Sequence, residues 1–316
     1  MSPTLLLLTL LACDDGAHLR PGGSSDDTGE LPDAGAFAVA CELDPVPEYE
    51  LTTLRVGPDG AVYGADVGGV LYRYERVDDG AGCSLEGVAI WDQGGLDTVT
   101  DFDLDADGKV YALIFYSGLA VLSPAGDLLF ECEIPAGHGI AVTSAGDRLY
   151  SVSIGDEALS WVEIEDQRCI PVEQGVSLPQ AIGTAPSVDG DLLAVDSHDP
   201  SSTLAPGVLI DPSDGSMVQE LGLGTAGDGE ELVAISDLLP TGDGYWAAGS
   251  PGGDLWHIAS DGDIDGYYDV EGLLPVAGDP DPTLSLHSVA YGGDDPSYLS
   301  AGFIDVQGVW TMELTP

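Results

Sequence analysis

The chain has 316 residues, of which 44% are hydrophobic, so it can build a large core and does not have the composition of a disordered protein. It carries 56 acidic residues against 7 basic ones, a formal net charge of −49, which excludes nucleic acid and anionic lipid head groups as attractive partners. A GC-rich genome, a salt-rich habitat and an acidic surface dedicated to one partner are three open explanations of this charge.

The N-terminus has the features of an export signal. Residues 5–12 are an apolar run as long as a signal-peptide core and too short to cross a bilayer as a helix. The run ends in Leu-Leu-Ala-Cys, which resembles the bacterial lipobox, where a small residue precedes the cysteine that is lipidated. This resemblance implies a signal peptide over residues 1–13 with lipidation at Cys13. Residues 14–35, rich in Gly, Ser, Asp and Pro, predict a flexible tether, and a plain disordered N-terminus is the alternative.

The rest of the chain, residues 36–316, repeats one β-rich unit. A tight Asp and Gly turn followed by a β-type segment recurs six times, about 40 to 55 residues apart, which is the length of a four-stranded propeller blade. The six turns lie at residues 59–63, 107–111, 146–150, 189–193, 243–246 and 295–299. Alternating strand patterns precede and follow these turns. We therefore predict an all-β fold, a six-bladed β-propeller.

The two chain ends predict how this propeller closes. The last repeat has room for three strands, counting its inner strand, and residues 37–43 form a β segment ahead of the first inner strand. We expect this N-terminal strand to complete the last blade and cover its edge. The cysteines of the predicted outer strands are candidates for disulfides such as Cys41–Cys83 or Cys132–Cys169, which would suit export; free buried thiols are the alternative.

The turn pattern D-x-D-G-x-hydrophobic-Tyr, seen at residues 105–111, resembles the NHL and gluconolactonase-type six-bladed propellers. The resemblance extends from Phe37 onward and implies the fold, which hosts many unrelated functions. Lactonases of this type hold a divalent metal with Glu, Asn and Asp side chains. Because this sequence contains no asparagine, that metal site does not carry over, and no G-x-S-x-G nucleophile motif is present.

Two acidic segments have the D-x-D-x-D-G spacing that places carboxylates around a hard cation, which makes Ca2+ the one candidate cofactor. The carboxylates are Asp103, Asp105 and Asp107 in the first segment, and Asp261, Asp263 and Asp265 in the second. Neither segment has the Glu that an EF-hand places at its twelfth position, where Ile114 and Gly272 stand. Ordinary surface turns are the alternative interpretation.

A second candidate site lies where the inner strands begin, around the central channel. Counting back eight residues from each turn, with a less certain choice in the fourth repeat, gives Thr52, Thr100, His138, Gln180, Ser236 and His287. Asp101 and Asp237 follow one position further along two of these strands. Such a ring could orient a polar small molecule or a cation; the alternative is that it lines a water-filled channel.

These features predict an exported, lipid-anchored protein of the cell envelope, facing the periplasm or the cell surface, which acts as a non-catalytic binding or assembly scaffold. Its partner would be an envelope protein or a polar small molecule, and it would be monomeric and touch the membrane only through its lipid. The alternative is a metal-dependent hydrolase or lactonase that uses Asp101, His138, Asp237 and His287 at the channel. A calcium-stabilised envelope protein is a third hypothesis.

Overall fold

All regular secondary structure in the part of the chain that the structure describes is β-strand. The structure is a computed structural model. It describes residues 37–44, 51–66, 68–78, 83–92, 98–115, 118–134, 137, 139–153, 158–172, 176–177, 181–186, 192–196, 206–211, 216–225, 232, 235–240, 244–249, 254–269, 286–291, 298–303 and 309–314. Among these residues no helix is long and apolar enough to span a bilayer.

The strands follow the predicted repeats along the chain. Their bounds are β1 Phe37–Asp44, β2 Leu51–Val56, β3 Val62–Asp66, β4 Val70–Asp78, β5 Cys83–Asp92, β6 Val99–Leu104, β7 Val110–Ile114, β8 Gly118–Leu122, β9 Leu128–Cys132, β10 Gly139–Val142, β11 Arg148–Ser153, β12 Ala158–Glu165, β13 Arg168–Pro171, β14 Val176–Ser177, β15 Ala181–Pro186, β16 Leu192–Asp196, β17 Gly207–Ile210, β18 Met217–Leu221, β19 Ile235–Pro240, β20 Gly244–Gly249, β21 Asp254–Ala259, β22 Ile264–Asp269, β23 Leu286–Tyr291, β24 Tyr298–Phe303 and β25 Val309–Leu314.

Consecutive strands pair as antiparallel meanders. Four meanders form separate sheets, ordered β6 to β9, β10 to β13 with β14 added beside β12, β15 to β18, and β19 to β22. The other strands form a single eight-stranded sheet in the order β2-β3-β4-β5-β1-β25-β24-β23. The prediction of six separate blades therefore needs correction. Strand pairing gives four separate sheets and one continuous eight-stranded sheet.

The continuous sheet arises because β1 pairs on both of its edges. As predicted, β1 lies antiparallel to the C-terminal strand β25, with Phe37 opposite Leu314. On its other edge β1 also runs parallel to β5, with Cys41 opposite Cys83. The second pairing was not predicted; it leaves neither edge of β1 open along the paired residues.

The innermost strands surround one axis. Strands β2, β6, β10, β15, β19 and β23 contact one another in this order, and β23 returns to contact β2. A closed cycle of inner strands, each followed outward by its own meander, is the architecture of a β-propeller.

The described core lies between consecutive sheets. Tyr63 and Leu71 of the first sheet pack in one cluster with Phe102 and Ala120 of the next. Further clusters join β7 and β8 to β10, β11 and β12, then β10, β11 and β12 to β17, and then β17 and β18 to β19 through β22. Burying a side chain of this size stabilises a fold by about 1.5–3 kcal/mol, so these face-to-face contacts hold the ring together.

Candidate functional site

A register shift near the start of the inner strands decides which side chains reach the axis. β2, β6, β15, β19 and β23 each change register over their first three residues. Such an irregularity re-aims the side chains that follow it. The residues that resume regular pairing lie seven positions before the corresponding turn residue, and they are Thr53, Asp101, Gly183, Asp237 and Ser288.

Arg55 of β2 lies at the centre of the ring. Its Nη1 donates to both carboxylate oxygens of Asp237, at 3.2 and 3.0 Å, and Nη2 donates to Oδ1 of Asp101 at 3.3 Å. Nη1 also donates to the carbonyl of Leu54 at 2.8 Å. In the ring of inner strands β2 contacts β6 and β23, whereas Asp237 lies on β19. The Arg55 guanidinium therefore extends across the middle of the ring to bind Asp237. We call Arg55, Thr53, Asp101, Asp103 and Asp237 the axial network.

Asp101 connects three inner strands. Its Oδ1 accepts hydrogen bonds from the Thr53 hydroxyl at 3.0 Å and from the Phe102 amide at 2.8 Å. Its Oδ2 accepts the amide of Ile140, on β10, at 2.8 Å. The side chain thus ties β6 to β2 on one side and to β10 on the other, and it is buried.

Asp103 adds a second tie between β6 and β10. Its Oδ2 accepts the Val142 amide at 2.7 Å, and its Oδ1 accepts the Leu104 amide at 2.8 Å. Asp101 and Asp103 therefore accept hydrogen bonds from two backbone amides of the neighbouring inner strand β10. Buried backbone amides need such partners, and the two carboxylates supply them here.

Burial and the charge of Arg55 act in opposite directions on the carboxyl pKa values of Asp101 and Asp103. Burial raises the pKa of Asp101 to about 7, although Arg55 and the Ile140 amide act in the opposite direction. Burial also raises the pKa of Asp103, against the lowering effect of Arg55. Burial alone would lower the pKa of Arg55, but the charges of Asp237, Asp101 and Asp103 raise it overall, so Arg55 stays a cation.

The predicted channel-mouth residues have different outcomes. Asp101 and Asp237 do meet at the axis, through Arg55. Thr100 does not, because its hydroxyl donates to the Leu113 carbonyl of the adjacent β7, at 3.3 Å. The register shift in β6 explains this difference, since it places Thr100 against β7 and Asp101 toward the axis. The side chains outside the described part are those of Thr52, His138, Gln180, Ser236 and His287.

The first acidic segment does not form a cation cage. Asp105 accepts the amides of Asp107 and Lys109, at 3.0 and 2.9 Å, and the hydroxyl of Tyr111 at 3.1 Å. Asp103 is bound to β10, and the exposed Asp107 pairs with the Lys109 ammonium at 3.3 Å. The alternating spacing of carboxylates here serves a turn, with Gly108 at a φ of +77° that favours glycine.

The carboxylates of the second acidic segment also bind separate partners. Asp261 accepts the Asp263 amide at 3.3 Å, whereas Asp265 lies 2.6 Å from Nδ1 of the buried His257. The carboxylates of each set therefore have separate partners in this structure, and a cation site on either set stays a prediction. No group of three or more His, Cys, Asp or Glu side chains suited to a metal occurs within the described ranges.

Cys132 and Cys169 are joined in a disulfide, with their Cα atoms 5.8 Å apart. This is one of the two pairings considered from the sequence, and it links the outer strands β9 and β13 of consecutive sheets. A separate cleft of about 450 Å³ lies near β12, lined by Thr143, Asp147, Arg148 and Glu163 among others. Its side chains pair with one another, as in the Arg148 to Glu163 contact of 3.4 Å.

Sequence reasoning did not identify Arg55 and Thr53. A usable signal existed for the arginine, because it is one of only 7 basic residues and stands between Leu54 and Val56 in an inner strand. A charged residue at a buried strand position needs an opposite charge close by.

No protein-family model and no curated protein matches this chain. Among solved structures, the WD40 β-propeller domain of Doa1 is similar over 89% of this chain and 98% of its own, with 12% identity and a TM-score of 0.57. The β-propeller domain of Cps50 (Swd1) from Myceliophteria thermophila is similar over 89% and 100%, with 10% identity and a TM-score of 0.53. A Bacteroides caccae protein of unknown function is similar over 77% and 86%, with 14% identity and a TM-score of 0.54. These similarities establish the β-propeller fold.

Proposed function

We propose that this chain is an exported propeller, anchored through a lipid on Cys13, that serves as a non-catalytic scaffold for an envelope protein or a polar small molecule. The observation that supports the scaffold role is the axial network. Arg55 lies 3.0 to 3.3 Å from carboxylate oxygens of Asp237 and Asp101, so these carboxylates bind the ring together at its centre. A propeller fixed in this way presents its loops and faces as a rigid binding platform.

We propose further that the propeller has six blades, with the eight-stranded sheet counted as two. Its halves are antiparallel meanders that pair with each other through the parallel β1 and β5 ladder. The cyclic contacts of the six inner strands support this count. So does the resemblance of the turns to NHL-type propellers.

The hydrolase alternative places a metal on Asp101 and Asp237. The guanidinium of Arg55 opposes it, because a fixed positive charge at hydrogen-bond distance from both carboxylates repels a second cation. The similar structures include WD40 propeller domains, a fold compatible with binding rather than diagnostic of it.

Export is supported by the disulfide between Cys132 and Cys169. Disulfides persist in oxidising compartments such as the periplasm and the cell surface, and they are rare where thioredoxin and glutathione keep thiols reduced.

The anchor is tested by metabolic labelling with an alkyne analogue of palmitate. The wild-type chain and Ala12→Ser, which keeps a small residue before the cysteine, should both take up label and fractionate with membranes. Cys13→Ser should take up none. Equal labelling of Cys13→Ser and wild type would rule out this anchor.

The scaffold role is tested in two ways. Partners are sought by crosslinking in intact cells of the source organism. Purified protein supplied with Ca2+, Mg2+ or Zn2+ is assayed for hydrolysis of lactones and esters. We expect one partner, either a protein crosslinked at constant stoichiometry or a polar molecule retained in native mass spectra, and no metal-dependent turnover. Turnover that Asp237→Asn abolishes, without any partner, would refute the scaffold role and favour the hydrolase.

A further inference from the structure

The joint between β1 and β5 brings two cysteines into register. The parallel ladder pairs Cys41 with Cys83 and continues through Glu42 with Ser84 to Asp44 with Glu86. Cys41 is also opposite Thr311 of β25 on the other edge of β1. The cysteine pair therefore stands where the first strand of the chain is inserted between the first meander and the last.

The backbone positions suit a disulfide. Neighbouring strands in a sheet lie about 4.7–4.9 Å apart in the hydrogen-bonding direction, so the backbones of two paired residues are close together. Disulfides occur at Cα separations of about 4.4–6.8 Å, so an opposed pair of this kind is within reach. The register needs no slip to place the cysteines side by side, since they form the first pair of the ladder.

The same chain already uses a cystine between outer strands. Cys132 ends β9, Cys169 lies in β13, and their disulfide joins two consecutive sheets. Cys41 and Cys83 likewise belong to outer strands of two meanders. They are the remaining cysteines after Cys13, so the pairing leaves no odd thiol in residues 36–316.

We propose that Cys41 and Cys83 form a disulfide that clasps β1 to β5 and holds the ring closed. The reaction is thiol–disulfide exchange with a donor disulfide, supplied by an oxidoreductase in the cell or by glutathione disulfide in vitro. One cysteine thiolate attacks the donor, forming a mixed disulfide and releasing one donor thiol. The second cysteine thiolate attacks the mixed disulfide and releases the other donor thiol, so two cysteines are oxidised and one donor disulfide is reduced.

In the cell this clasp rests on the export part of the proposed function, because the oxidising compartment supplies the donor. The test is therefore made in vitro, where export has no role. Full-length protein carrying Cys13→Ser is reduced, equilibrated in a glutathione redox buffer, alkylated with iodoacetamide and digested with trypsin. Cleavage after Arg55, Arg76, Lys109 and Arg168 places the four cysteines in four different peptides.

We expect the peptide ending at Arg55 to be linked to the peptide of residues 77–109, lighter by two hydrogen atoms than the reduced pair. The link between residues 110–148 and 169–316 reports the Cys132–Cys169 disulfide in the same sample and shows that oxidation took place. Alkylated Cys41 and Cys83 beside an intact Cys132–Cys169 link would overturn the proposal, and so would a link from Cys41 to any other cysteine.

A thermal cycle gives a second readout. Under oxidising conditions Cys41→Ser, Cys83→Ser and the double variant should each lower Tm by about 5–10 °C and by nearly the same amount, because either change removes the same bond. In excess reductant the gap to wild type should shrink. Additive losses in the two single variants, unchanged by reductant, would show two independent thiols and refute the clasp.

Discussion

Replacing Asp101 by asparagine removes a buried carboxyl whose pKa the protein raises from 3.8 to about 7, chiefly through burial. A carboxyl with a raised folded-state pKa binds its proton more tightly in the folded than in the unfolded chain. Its contribution to stability is therefore complete below pH 3.8 and is lost as the pH rises through about 7. Between these two pKa values the free energy of unfolding falls by about 1.4 kcal/mol per pH unit, which is roughly 4 kcal/mol in all.

The assay is urea unfolding of wild type and Asp101→Asn between pH 4 and 8 at constant ionic strength, followed by the fluorescence of the 5 tryptophans. Both proteins share every other carboxylate, so the difference between their unfolding free energies isolates residue 101. Wild type should lose roughly 4 kcal/mol relative to Asp101→Asn across this range. Thr100→Val is the control: it removes a hydrogen bond and no titrating group, so its difference from wild type should not vary with pH.

Parallel stability curves for wild type and Asp101→Asn would refute the reasoning. That result would mean that residue 101 binds protons equally in the folded and unfolded chain, and therefore that Arg55 and the Ile140 amide offset its burial completely. Carbon-13 NMR of the Asp101 carboxyl gives an independent check, with a titration midpoint expected near pH 7.

Three further perturbations follow from the same structure. Arg55→Met, which leaves two buried carboxylates without their cation, should cost about 3–5 kcal/mol in urea unfolding at pH 8 and less at pH 5; an equal cost at both would contradict the network. Removing the disulfide by Cys132→Ala with Cys169→Ala, at a sequence separation of 37, should cost about 3–4 kcal/mol, and the same loss should appear when the Cys41→Ser, Cys83→Ser double variant is reduced. Gly126→Ala should cost about 1–3 kcal/mol more than Gly224→Ala, because both glycines have positive φ but only at Gly126 would a Cβ overlap a backbone carbonyl of β5; equal costs would contradict that contact.

The architecture was predictable because turns and alternation are local signals. The alternating patterns expected ahead of the first two turns coincide with β2 and β6, and the expected N-terminal strand at 37–43 lies within β1, beside β25. The parallel pairing of β1 with β5 was not predictable, because it depends on how two meanders meet in space and leaves no periodic pattern in either strand.

The candidate site was predictable only in part, because counting along a strand assumes regular pairing. The register shift in β6 moves the axis-facing position from Thr100 to Asp101, and the same shift in β19 favours Asp237. The acidic turn at Asp105 was misleading for a different reason. Its carboxylate satisfies amides of its own turn and the Tyr111 hydroxyl, which sequence spacing alone does not distinguish from a cation ligand.

The axial network also explains why the repeats carry different residues at the position that reaches the axis. A ring of equivalent strands brings equivalent positions to one axis, so an acidic residue in every repeat would collect like charges in a buried space. Here the position seven before the turn is acidic in β6 and β19 only, and Arg55, two residues further along β2, supplies the opposing charge to both. The planar fork of N–H donors on a guanidinium suits bridging two carboxylates that face it. The asymmetry of the centre therefore limits the like charge that meets at the axis, and the pH dependence expected for Asp101 measures the cost of burying its carboxylate there.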